Sequence, residues 1–149
     1  MQAPAADPFG NQGVTPVNQR GMGKGPGVRD AGKAQYWLNT IKQATARFAS
    51  IDAARAAGYV PNPASPDHML NRAVNRTGNP NKLGLPATLM YDNNGRLIGA
   101  MLSANPNQKL PDFGAGAWHR HPADDKVHMH IFFNKSVQGG AFENNTGFI

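Results

Sequence analysis

Cysteine is missing from the 149-residue chain, which excludes disulfides, thiolate catalysis, iron–sulfur clusters and cysteine-bound zinc. Glutamate is nearly missing as well. Glu143 is the only one, so a catalytic carboxylate pair would have to be built from aspartates. No apolar run approaches the roughly 20 residues that cross a bilayer, so no membrane span is expected. Apolar residues amount to 40%, enough for one core yet below the usual share of a soluble domain. Gly 17 and Pro 12 together make close to a fifth of the chain, so much of it should be loop.

What is plentiful is positive charge: Lys and Arg number 15 against 9 acidic residues, a net charge of +6 with a pI near 10.0. The basic residues are scattered and do not alternate with aromatics along a stripe, so a nucleic-acid partner is not expected. Residues 1–29 stand apart. They carry four prolines and six glycines with Phe9 as their only aromatic, a composition that cannot bury enough surface to offset its ordering entropy. They are expected to form a flexible arm ahead of a single domain spanning 30–149. The Gly21–Gly27 stretch is not a phosphate loop, because no strand precedes it and Pro26 and Gly27 break the helix start such a loop needs. The Gln-Ala-Pro-Ala-Ala-Asp that follows Met1 reads as a mature N-terminus behind a start codon. With the asparagine-rich, cysteine-free composition, it leads to the expectation of a periplasmic or secreted protein. Asn75, Asn134 and Asn144 head glycosylation sequons, which a chain this rich in asparagine also produces by chance.

Asp30 is a credible N-cap for a helix in which Tyr36, Trp37, Ile41, Ala44 and Phe48 fall broadly at helical spacing. Ser50 caps a second, short helix that Gly58 stops. Residues 61–83, which include His68, read as polar, proline-rich and irregular. From residue 84 the pattern turns to strands: 85–91 and 96–103 flank Asp92-Asn93-Asn94-Gly95, a hairpin turn. A second pair, 116–121 and 126–133, flanks a short Pro-Ala-Asp-Asp link. The expected architecture is α+β: two N-terminal helices packed on an antiparallel sheet of about four strands, or a small open barrel, plus the arm.

Four of the five histidines form two His-x-His pairs, His119 with His121 and His128 with His130. Residues two apart on a strand share a face. A hairpin closed at Asp124-Asp125 sets His121 opposite His128 and His119 opposite His130, with Trp118, Val127, Met129 and Ile131 on the other, greasy face. Imidazoles on such a grid can converge on one ion at about 2.0–2.1 Å. The competing reading is a solvated or pH-sensitive cluster, which would charge and repel itself as pH falls. Four nitrogen donors suit copper or zinc, with nickel and iron also open, and do not suit calcium or magnesium. His68 reads equally as a further ligand brought over by its loop or as a surface histidine. Asp67, Asp112 and Glu143 are candidate partners for a ligand's outer nitrogen, whereas Met90, Met101 and Met129 read as core rather than thioether ligands.

The His-x-His strand pair resembles the metal-binding strands of cupins. The chain departs from the cupin order because Glu143 follows the histidines and no later histidine exists. Residues 50–145 are similar to a group of uncharacterised secreted bacterial proteins. The residues that carry this likeness are the helix ending in Gly58-Tyr59, His68 with Asn71, the 85–103 hairpin and the late histidine-rich strand, with Met69 where that group commonly has an aromatic. This resemblance implies a secreted location and ties His68 to the histidine face, and it brings no reaction with it. The leading expectation is a transition-metal-binding protein for sequestration, delivery or sensing. The alternatives are a small metalloenzyme with an open coordination position, or an assembly protein whose arm docks on a neighbouring copy to form a homo-oligomer.

Overall fold

The computed structural model describes residues 15–16, 30–63, 65–110, 118–120 and 125–142. Helix α1 spans Ala31–Thr45, and the Asp30 carboxylate accepts from the Lys33 amide at 2.9 Å to close its first turn. Its inward stripe is Ala34, Trp37, Leu38, Ile41 and Thr45. Tyr36, expected on that stripe, lies about 100° round the helix from Trp37 and is 63% exposed. A 3-10 turn, Ala46–Phe48, leads to α2, Ile51–Ala56, whose N-cap Ser50 accepts from the Ala53 amide at 3.1 Å. Gly58 adopts a φ of 102° to leave the helix.

The stretch 61–83 departs from the irregular reading. It holds β2 (Val60–Asn62), β3 (Ser65–Leu70) and α3 (Arg72–Thr77), the last capped by Asn71. Its prolines are compatible with this because β2 is the sheet's edge and Pro66 sits at the start of β3, where a missing amide costs least. Strands β4 (Thr88–Tyr91) and β5 (Leu97–Ala104) form the expected hairpin. In its turn the Asp92 carboxylate accepts from the amides of Asn94 and Arg96 at 2.8 and 2.9 Å. With β1 (Thr15–Pro16), β6 (His119–Arg120) and β7 (Val127–Phe132), they form one open antiparallel sheet in the order β1-β6-β7-β5-β4-β3-β2. The fold is α+β as expected, but the sheet is broader than four strands and does not close into a barrel. Within the arm, Thr15–Pro16 pairs with β6 of its own chain, and the rest of residues 1–29 lies outside the described residues.

One sheet face is apolar. Ala100, Leu102, Ala104, Val127, Met129 and Ile131, with Trp118, pack on the inward stripe of α1. Met69, Leu89 and Tyr91 pack with Phe48, Ala54 and Tyr59 in a second cluster. Gly99 serves the opposite face. A β-carbon there would lie 2.5 Å from the Ile131 carbonyl oxygen and 2.6 Å from Cε of Met90. Gly99→Ala should therefore destabilise the fold by about 1–3 kcal/mol through overpacking. The check is the urea midpoint at unchanged m-value, and an unmoved midpoint would show that Met90 does not lie across Gly99.

Candidate metal centre

Directly opposed residues in an antiparallel ladder share a face, so the pairings define what lies behind the apolar side. One row runs His68, Met90, Gly99, Phe132; the next runs Leu70, Thr88, Met101, His130; the third runs Ser103, His128, His119. His68, His119, His128 and His130 therefore occupy a single sheet face, and none is more than 2% exposed. This face is buried, not solvated.

The register differs from the expected one. His119 opposes His128, and Arg120 opposes Val127, so the strands are displaced by two residues from the pairing of His119 with His130. A shift of two keeps every side chain on its face, which is why the imidazoles still gather. His121 lies outside the described residues, as do Asp112 and Glu143. His68 sits on β3 instead of a mobile loop, and its surface reading is overturned by its burial. Asp67, its neighbour, is exposed, and Asp92 is held in its turn.

The rings form a ladder. The centroids of His119 and His130 are 5.1 Å apart with planes 21° from parallel, and Phe132 follows His130 at 5.9 Å and 15°. His119 and His128 are 6.3 Å apart and tilted by 47°. Two imidazoles sharing an ion at about 2.0–2.1 Å have centroids roughly 5–6 Å apart, so the spacing suits a common ion. Imidazole lone pairs lie in the ring plane, however, and near-parallel rings do not aim at one point. Accordingly, no three His, Asp or Glu side chains among the described residues stand ready to hold an ion without moving. The χ2 torsion of histidine has a broad profile, and turning it is the motion that convergence requires.

Sequence reasoning overlooked the group behind His128. The Ser103 hydroxyl is 2.5 Å from Oδ1 of Asn75 on α3 and 2.9 Å from Nδ1 of His128. A contact of 2.5 Å is an O–H···O length, too short for an amide N–H donor, so Ser103 donates to Asn75. Its single proton is then spent, and His128 Nδ1–H donates to the Ser103 oxygen. The ring carries its lone pair on Nε2, the orientation by which second-sphere partners prepare a histidine ligand. The signal was available in part: Ser103 follows Met101 in a strand at period two, but its partner Asn75 is 28 residues away in sequence. The part-buried Asn75 side chain is thereby engaged with Ser103. Thr88 Oγ1, on the same face, is buried and has no hydrogen-bond partner among the described residues, a state that costs about 1–3 kcal/mol unless a ligand relieves it.

Compared with protein-family models, curated proteins and solved structures, the chain matches none. The chemistry of the face must be argued from its own residues.

Burial lowers the His68 pKa from 6.5 to about 4. The folded state thus prefers neutral imidazole. That contribution to stability is complete above pH 6.5 and is lost as pH falls towards 4, a loss of roughly 3 kcal/mol. Denaturant titrations from pH 7 to 4 should show this decline in the metal-free protein, and His68→Gln should flatten it. A variant with the same acid slope as the parent would mean that His68 does not carry the effect.

Proposed function

We propose that this chain is a periplasmic or secreted protein that binds a transition-metal ion, for sequestration, delivery or sensing. The donors are His119, His128 and His130, with His68 and His121 as the remaining candidates. One observation carries the reading: a buried sheet face bears imidazoles on neighbouring strands, one of them hydrogen-bonded through Nδ1 to Ser103. Nitrogen donors suit copper and zinc, then nickel and iron. The compartment rests on composition.

The enzyme alternative gains less support. Among the described residues the aspartates are exposed or, like Asp92, engaged in a turn. The assembly alternative gains none from Thr15–Pro16, which pairs within its own chain.

Calorimetric titration of zinc(II) and copper(II) into metal-free protein tests the reading. Imidazole must be neutral to coordinate, and its reference pKa is about 6.5, so protons compete with the ion for the same nitrogens. Affinity should hold at neutral pH and fall steeply below about pH 6. His119→Ala or His128→Ala should weaken binding by about 10-fold or more, and Ser103→Ala should cost about 10–100-fold through the lost tautomer control. Binding indifferent to pH between about 5 and 8, or unaffected by these substitutions, would refute the site.

A further inference from the structure

The sequence reads Met90, Met101 and Met129 alike, as core. The sheet register separates them. Met129 belongs to the apolar face and packs with α1, whereas Met101 opposes His130 and Met90 opposes His68 on the imidazole face. Both of these thioethers are buried, Met90 at 0% and Met101 at 3% exposure. Met90 extends along the face towards β5, since its Cε lies 2.6 Å from where a β-carbon of Gly99 would be. The missing side chain at Gly99 is what lets the Met90 thioether lie over β5, beside Met101 and one strand from His130 and Phe132.

We propose that the ion held on this face is copper(I), with Met101 and Met90 supplying thioether ligands beside His130 and its neighbouring imidazoles. This rests on the transition-metal reading and specifies its cargo. Thioether sulfur is a soft donor that selects copper(I) over zinc(II), nickel(II) or iron(II), and the register sets Met101 directly across from His130 and Met90 directly across from His68 on the buried face.

The test uses the full-length, metal-free chain. Copper(I) is titrated anaerobically against a chromophoric copper(I) chelator, and zinc(II) is titrated in parallel against a zinc indicator. Copper(I) should bind far more tightly than zinc(II). Met101→Leu and Met90→Leu, which nearly conserve volume, should each weaken copper(I) binding by about 10-fold or more and leave zinc(II) binding unchanged. Met129→Leu, on the apolar face, should change neither. Copper-edge X-ray absorption of the copper(I)-loaded parent should show a sulfur scatterer, a readout independent of how any variant folds. Unchanged copper(I) affinity in both methionine variants, or a copper shell of nitrogen alone, would overturn the thioether assignment while leaving the imidazole site standing. No binding of copper(I), copper(II) or zinc(II) would overturn both readings together.

Discussion

Strand β7 has to satisfy two environments at once, and the rest of the molecule is arranged around that demand. All six of its residues are buried. Val127, Met129 and Ile131 face α1 across an ordinary apolar interface, while His128, His130 and Phe132 face the other way. Period-two alternation normally separates a wet side from a dry one. Here it separates two dry sides of different chemistry, one assembled from hydrocarbon and one from imidazole, thioether and hydroxyl. The long β5–β7 ladder, six residue pairs from Gly99 to Ala104, locks that division in place.

The polar face is organised by contacts across the sheet. Ser103 links α3 to β7 by receiving from His128 and donating to Asn75, so the helix between β3 and β4 governs a ring three strands away in the sheet order. Gly99 governs Met90 by leaving space, and Met90 in turn opposes His68. A face built this way resists single substitutions poorly, because each side chain positions its neighbour. Burial on it also lowers the His68 pKa to about 4, so that ring is neutral at pH 7.

Local chemistry was readable where it is local. The Asp30 and Ser50 caps, the Gly58 stop and the Asp92–Gly95 turn each depend on side chains within four residues of the backbone they satisfy. The common face of His119, His128 and His130 was readable too, since side-chain parity survives any even shift in pairing. The shift itself was not. A tight turn at Asp124-Asp125 implied one register, and the longer connection between Arg120 and Val127 gives another. His68 was misplaced for a different reason. Prolines at 61, 63 and 66 argue against a strand interior, yet they fall at an edge strand, a connection and a strand start, where proline is tolerated. The methionine assignments and the Asn75–Ser103–His128 relay needed the fold, because they join positions far apart in sequence.

The central claim is that the buried imidazole face holds a metal ion. The most direct measurement is an anomalous difference map, collected at the copper edge from crystals of the copper-loaded protein. Copper on this face should give one strong peak beside His130, within bonding distance of at least two imidazole nitrogens, with the His119 and His130 rings rotated out of their stack towards it. A peak confined to surface residues, or no peak while the stacked rings persist, would contradict it.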